Sequence, residues 1–430
     1  MVNTRLLGPA SLDEREIRAR EVLKKHPDWK RLRLVVPDHH SRLICQDLSG
    51  IYGTQNLDSL AHGFCSYVFT WDLDKNMLQG NGFDCDDSYG DVCVKPDWST
   101  LIADPFDDDL AWVFGDSEHR LSPRKFLRDS LAELETFGFV PSIGIEHECV
   151  LLQESGEPLT KHGLDYSLFS AHAALDFLGS LTSSLSNIGL EVETYRAECH
   201  PGQIEIVLAH RNALAACDDA MLLQHFVRQH AVNRKLEACY LPAPRTGWGN
   251  SAHVHISLNP LLKDSEGDMD LMQNLQHFTA GIQRYLPQIM SVVVPTRNGW
   301  VRFNSGQFVD NPLRVGIDSR IDGLRILPGD IPRVEFRLSG SDAQLHLLIG
   351  VLVRCGLEGI REQCEINPEP LDKLPDNLDQ ALELWQDSEE TRQIIGAEMH
   401  GLISALCKAE LEAHGSAVTS VDVQRERLRA

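Results

Sequence analysis

Four short segments of this 430-residue chain alternate apolar residues with residues that bind ions, and that pattern constrains the fold more than any other feature. They are GIEHECVL (Gly144 to Leu151), QIEIVL (Gln203 to Leu208), HVHISL (His253 to Leu258) and RVEFRL (Arg333 to Leu338). Successive side chains of an extended chain point to opposite sides. Glu146 and Glu148 therefore share one face, as do Gln203 with Glu205, His253 with His255 and Ser257, and Arg333 with Glu335 and Arg337. Val, Ile, Leu and Phe take the other face. A face turned to water would use Lys, Thr, Ser and Gln as readily, yet the four segments contain no Lys. The alternation predicts strands whose polar side lines a cavity.

Glu198 precedes the second segment and adds a carboxylate to Glu146, Glu148, Glu205 and Glu335. Packed together, such groups cannot all stay ionised unless cations neutralise them. Oxygen donors with an imidazole from His253 suit hard divalent ions, Mg²⁺ or Mn²⁺, and this many carboxylates imply at least two per site. Arg302, Arg320, Arg325, Arg333 and Arg337 cluster with no Lys among them. Arginine is preferred where a phosphate or carboxylate is held in two-pronged fashion. Cations beside arginines suggest that a polyphosphate and a carboxylate meet here, as phosphoryl transfer requires. No GxxxxGK[ST] loop is present, which excludes a P-loop enzyme.

The excess of Asp+Glu 63 over Lys+Arg 40, a net charge of −23, gives no reason to expect nucleic acid or an anionic membrane as partner. No apolar run reaches the roughly 20 residues of a membrane span. The early charges argue against a signal peptide, and eleven cysteines without a CxxC pair read as reduced thiols, so the expected compartment is the cytoplasm.

Two units are expected. Residues 1–118 open with an amphipathic helix over 11–28, capped by Ser11, and continue as short strands at Leu32 to Val36, Arg42 to Asp47, Ser66 to Asp72, Asp91 to Val94 and Leu110 to Phe114. Residues 119–430 open with a helix after Ser122-Pro123. Strands then alternate with helical stretches at 169–187, 213–238, 269–293, 342–364 and 378–412, an α+β or α/β pattern.

These segments resemble the signature blocks of glutamine synthetases, in the family's order. Glu146 and Glu148 match G-x-E-x-E, Glu198 to Glu205 is similar to E-x-x-P-G-Q-x-E-I, and Trp248 to Leu258 resembles G-S-G-x-H-x-H-x-S-L. Asn298 to Arg302 stands for N-S-Y-x-R, Asp318 to Arg325 for N-R-x-x-x-x-R, and Arg333 to Arg337 for R-x-E-x-R. The likeness covers nearly the whole chain. It implies an α+β, glutamine synthetase-like fold: an N-terminal β-grasp domain and a catalytic domain built on an incomplete β-barrel flanked by helices. It implies that Glu148, Glu198 and Glu205 hold one metal and that Glu146, His253 and Glu335 hold another on the ATP phosphates. Arg320, Arg325 and Arg333 would face those phosphates, Arg320 catalytically, with His255 and Ser257 near the nucleotide. Arg302 and Arg337 would clamp glutamate beside the Gly249 backbone. Subunits would form a homo-oligomeric ring, a hexamer or a stacked double ring, with sites between neighbours.

The resemblance fails in one half of the site. Ammonia-using members carry D-G-S-S in the small domain, and here there is none; the nearest acids are Asp72 and the stretch Asp84 to Asp91. The flap glutamate has no clean counterpart, Asp310 being the nearest acid. P-K-P becomes Pro242-Ala243-Pro244, N-P-Y-L becomes Gln344 to Leu347, and the adenylylation loop shrinks to Asn367 to Lys373 without tyrosine. The reading is an ATP-dependent ligase joining the glutamate γ-carboxylate to an organic amine through γ-glutamyl phosphate, with Asp72, Asp91 or Asp310 taking the amine's proton. Acidic Asp84 to Asp91 would suit a cationic amine; Phe83, Tyr89, Trp98 and Trp248 an apolar one. The alternatives are a true glutamine synthetase, a non-catalytic member of the superfamily, and another two-metal enzyme such as a phosphohydrolase.

Overall fold

The computed structural model describes residue 21 and residues 29–49, 61–78, 88–261, 270–306, 309–370 and 373–420. The expected N-terminal helix lies almost wholly outside them, as do Phe83 and Asp84.

Five strands form the first sheet: β1 (Arg31–Pro37), β2 (Leu43–Ser49), β3 (His62–Cys65), β4 (Asp91–Ala103) and β5 (Leu110–Ser117), in the order β2-β1-β5-β4-β3. β1 and β5 run parallel, and the other pairs are antiparallel. β5, at the centre of this sheet, is buried on both faces, which explains its continuous apolar run. Leu32, Leu34, Val36 and Val113 fill one side, while Val35, Trp112 and Phe114 join the main core on the other. Ser66 to Asp72, expected as a strand, begins instead as a 3₁₀ turn over Ser66–Phe69. Val68 to Trp71 are all buried, and a wound turn can bury neighbours that an alternating strand would split between faces.

The second sheet holds β6 (Phe139–Gln153), β7 (Val192–Ala197), β8 (Gln203–Asn212), β9 (Leu236–Cys239), β10 (Ala252–Pro260), β11 (Asn311–Ile317), β12 (Asp322–Leu327) and β13 (Arg333–Phe336). Its order is β11-β12-β13-β10-β6-β8-β7, with β9 pairing β6. All four ion-binding segments lie here, side by side. One face is apolar: Ile145, Ile204, Ile206, Val254, Ile256, Val334 and Phe336 are each no more than 2% exposed.

Helices cover that face. In chain order they are α1 (Pro123–Glu135), α2 (His172–Asn187), α3 (Ala213–Asn233), α4 (Leu271–Val293), α5 (Arg297–Asn304), α6 (Leu345–Glu362), α7 (Leu378–Asp387), α8 (Glu389–Ile395) and α9 (Ala397–Gly415). Ser122 caps α1 by accepting from Lys125 N, with Pro123 at its first position. α3 packs on β6 and β8, and α4 packs on β10, β11 and β13. α6 lies against α4 so closely that a Cβ on Gly281 would stand 2.7 Å from the Gly359 Cα. The stretch 213–238, expected as one helix, ends at Asn233, because Lys235 turns left-handed (φ 58°) and the chain then enters β9. The stretch 378–412 is three helices, divided at Ser388, which caps α8, and at Gly396, whose φ of 93° an L side chain rarely adopts.

One buried cation ties the two sheets together. Arg124 on α1 is 1% exposed and donates to Asp97 of β4 (2.9 Å), to Asp116 of β5 and to Asp218 of α3 (2.7 Å). Asp218 also meets His346 of α6 at 3.0 Å. A charge this deep is stable only with such partners, and removing one member strands the others. Arg124→Leu is expected to destabilise the chain by about 3–5 kcal/mol, read as a lower denaturation midpoint with the secondary-structure signal otherwise retained.

The β1–β2 connection carries a second buried group. Burial pushes His39 down to about 3, with Asp38 opposing and His40 assisting. Its folded state thus takes up a proton later than the ordinary value near 6.5. Its contribution is complete above pH 6.5 and is lost as pH falls from there toward 3, at about 1.4 kcal/mol per unit for one proton. His39→Leu should flatten the stability-versus-pH curve in that window by about one proton; an unchanged slope would contradict the assignment.

Candidate active site

Register across the second sheet builds the site. Arg325 of β12 pairs Glu335 of β13, which pairs His255 of β10. His253 pairs Glu146 of β6, Glu148 pairs Glu205 of β8, and Glu205 pairs Arg196 of β7. Strand alternation then aims these groups away from the apolar face, where a cavity of about 340 Å³ opens; Arg325, Glu335 and His255 lie beside its lining and not in it. Glu146, Glu148, Glu198, Glu205 and His253 line it, together with Gly249, Arg302, Arg320 and Arg337.

The carboxylates fall into two groups. Glu146 lies 3.3 Å from His253 Nδ1 and 3.0 Å from His255 Nε2. Glu335 is held by Arg325 at 2.8 Å and by Arg337, with His253 Nδ1 at 3.7 Å. Burial raises Glu146, but the hydrogen bonds to both imidazoles outweigh it and hold the group well below the usual carboxylate range. Ligand atoms of Glu146, His255 and Glu335 lie within 4.8 Å of one another.

In the other group, Glu148 accepts from Gln203 Nε2 (3.0 Å) and Ser251 N (2.8 Å). Arg196 bridges Glu198 (2.6 Å) and Glu205 (3.0 Å). Burial, then the charges of Glu146 and Glu148, pushes Glu205 up to about 9, and Arg196 only partly offsets them. Arg196 reaches both oxygens of Glu205, at 3.0 and 3.1 Å, yet it is a single cation shared with Glu198. Three buried carboxylates sharing one guanidinium are underneutralised, and such an oxygen-rich set fits a divalent cation, which would relieve their repulsion.

The arginines divide as well. Arg302 donates to Leu338 O (2.9 Å) and Ser251 Oγ (2.7 Å). Arg320 is exposed at the cavity, and Arg325 binds Asp318 and Glu335. Arg333 is exposed, its Nε 3.4 Å from His255 Nδ1; Ser257 is buried farther along the polar side of β10.

Asp72, Asp91 and Asp310 do not line this cavity. Asp72 accepts from Asn76 (2.7 and 2.9 Å), Asp91 is exposed at the start of β4, and Asp310 is exposed before β11. Trp98 belongs to the core of the small sheet, and Tyr89 lies 6.5 Å edge-on from Tyr67. Trp248 stacks on His200, a cavity residue, with 5.4 Å between centroids. The sequence reading missed Arg196, Ser251, Asp165 and Tyr166, all of which line the cavity. Arg196 stands two residues before Glu198, and the same alternation rule would have flagged it. Asp165 and Tyr166 sit in a loop with positive φ angles that no spacing rule finds.

Residues 120–426 match the family model for the catalytic domain of glutamine synthetase, and the chain belongs to that family of ATP-dependent, carbon–nitrogen bond-forming ligases. Among its relatives, gamma-glutamylethanolamide synthetase of Streptomyces coelicolor is 28% identical, over 91% of each chain. Glutamate–isopropylamine ligase of a Pseudomonas species is 26% identical, over 83% of this chain and 86% of the relative. Gamma-glutamylputrescine synthetase of Escherichia coli is 26% identical, over 89% and 90%. The solved structure of GmaS without ligand shares the fold with a TM-score of 0.80 at 20% identity, covering 94% of this chain and 98% of that one.

Enzymes of this family use ATP and divalent metals, which fits the donors present here. Mg²⁺ or Mn²⁺ at one hundred times its dissociation constant should therefore stabilise the fold by about 2.7 kcal/mol. Thermal melts with excess chelator and with added ion measure it. Glu205→Gln is expected to weaken the response sharply while raising the melting temperature of the ion-free chain.

Proposed function

We propose that this chain joins the γ-carboxylate of glutamate to an organic amine, with ATP converted to ADP and phosphate, and that γ-glutamyl phosphate is the intermediate. One observation carries the reading: a single cavity brings a carboxylate–imidazole wall together with the half-buried Arg302 and the buried Arg337. The first half suits cation-bound phosphates and the second suits the carboxylates of an amino acid. The related ligases named above, which by their names act on ethanolamine, isopropylamine and putrescine, support the amine.

Divalent ions would be held by Glu148, Glu198 and Glu205 on one side and by Glu146, His253 and Glu335 on the other, neutralising charge on the ATP phosphates. Arg320, Arg325 and Arg333 face the γ-phosphoryl group and stabilise the charge that develops as the glutamate side-chain oxygen attacks phosphorus and ADP departs. His255 and Ser257 border the nucleotide. Arg302 and Arg337 hold glutamate beside the Gly249 backbone. The amine nitrogen then attacks the acyl carbon of the γ-carboxyl group, phosphate leaves, and the nitrogen gives its proton to a carboxylate.

Asp72, Asp91 and Asp310 fit that last role only if a neighbouring subunit brings one of them to the cavity. This favours a homo-oligomeric ring with sites between subunits, built from a small unit of residues 1–118 and a catalytic unit of 119–430. The free thiols of the described cysteines agree with a cytoplasmic setting.

Phosphate release from ATP and glutamate, measured across ammonium, ethanolamine, alkylamines, polyamines and aromatic amines, tests the proposal. An organic amine should exceed ammonium by at least tenfold in kcat/KM. Preference for ammonium would identify a glutamine synthetase with a rebuilt acceptor site, and amine-independent release would identify a hydrolase. Glu335→Ala should abolish turnover; no turnover in the unaltered chain would leave a binding protein.

A further inference from the structure

The short helix α5 carries Arg302 on its last turn, and one segment, Leu338 to Asp342, grips that helix at both ends. At the far end the Leu338 carbonyl accepts from Arg302 Nη1 at 2.9 Å. At the near end Thr296 is the N-cap: its Oγ accepts from Gly299 N at 3.0 Å, as a capping hydroxyl does. That same hydroxyl donates its proton to Asp342 Oδ2 at 2.6 Å. The cap is thereby fixed in one rotamer, and the axis of α5 is fixed with it.

Asp342 itself has little freedom. Ser41 Oγ, at the tip of the β1–β2 connection, donates to the Ala343 carbonyl at 2.9 Å, and Gln344 Nε2 donates to the Asp38 carbonyl at 3.1 Å. Burial pushes its carboxyl up to about 6, against the pull of the Thr296 hydrogen bond and of Arg302. Its other oxygen, Oδ1, is buried without a hydrogen bond. A serine or asparagine could supply a turn here at less cost, so a buried acid with one unsatisfied oxygen calls for an explanation other than stability.

We propose that Asp342 is a positioning residue for substrate glutamate: through Thr296 it sets the start of α5 and hence the aim of the Arg302 guanidinium into the cavity. The inference rests on the reading of Arg302 as a glutamate clamp. Asn298, whose amide makes two hydrogen bonds to Ala243 at 2.8 and 3.0 Å, anchors the outer side of the helix independently. Loss of the Asp342 tie should therefore tilt α5 rather than unfold it. An arginine displaced by about 1 Å loses two-pronged contact with a carboxylate while the nucleotide side of the cavity is untouched.

The test is steady-state kinetics on Asp342→Ala, Thr296→Val, Thr296→Ser, the double variant and Arg302→Lys, in the full chain with its best amine. Asp342→Ala and Thr296→Val should each raise the KM for glutamate about tenfold with the KM for ATP unchanged. Thr296→Ser, which keeps the hydroxyl, should restore the unaltered value. The double variant should be no worse than either single change, because both break the same link. If Arg302→Lys raises the glutamate KM but Asp342→Ala and Thr296→Val do not, the positioning role is refuted and the clamp stands. If Arg302→Lys leaves the glutamate KM unchanged, the clamp reading itself fails. Should Asp342→Ala not fold, the comparison of Thr296→Val with Thr296→Ser decides alone.

Discussion

The mutual repulsion of carboxylates aimed into one cavity is the constraint from which the rest of this structure follows. Glu146, Glu148, Glu205 and Glu335 occupy one side of a single sheet and Glu198 stands just past the end of β7 beside them, where no arrangement of water could neutralise them all. The protein spends its cations there: Arg196 spans Glu198 and Glu205, while Arg325 and Arg337 both reach Glu335. Even so, burial and the charges of Glu146 and Glu148 push Glu205 up to about 9. The opposite, apolar side of the same strands is what makes this tolerable. Helices α3 and α4 seal it, so the strands cannot turn over and carry their acids to solvent.

The division of labour along each strand is the reason so much of the site was legible beforehand. A period of two assigns every residue to a side without knowledge of the fold, and His253, Glu146 and Glu335 met as that rule implied. The rule is local, and it failed where tertiary packing decided. Arg124, Asp218 and His346 looked like ordinary helix residues, yet they form the node between the sheets, because their partners come from distant parts of the chain. Ser66–Phe69 coiled instead of extending because consecutive residues had to be buried. Asp165 and Tyr166 entered the cavity through left-handed backbone that composition does not announce.

The lining of the cavity differs in how firmly it is tied. The side built from β6, β8, β10 and α5 carries the hydrogen bonds of Glu146, Glu148 and Arg302. The rest is the loop bearing Asp165 and Tyr166, where Arg196 lies over the Tyr166 ring, and His200 backed by Trp248.

The contact between Gly281 and Gly359 has a mechanical consequence. With no side chain between them, the backbones of α4 and α6 have nothing to shear, and a displacement of one is handed directly to the other. The first of these helices supports β10 and β13, where the imidazoles and Glu335 sit. The second is capped by Gln344, two residues beyond Asp342. The strands bearing His253 and Glu335 and the segment that holds Thr296 and Arg302 are therefore coupled through the interior by main chain.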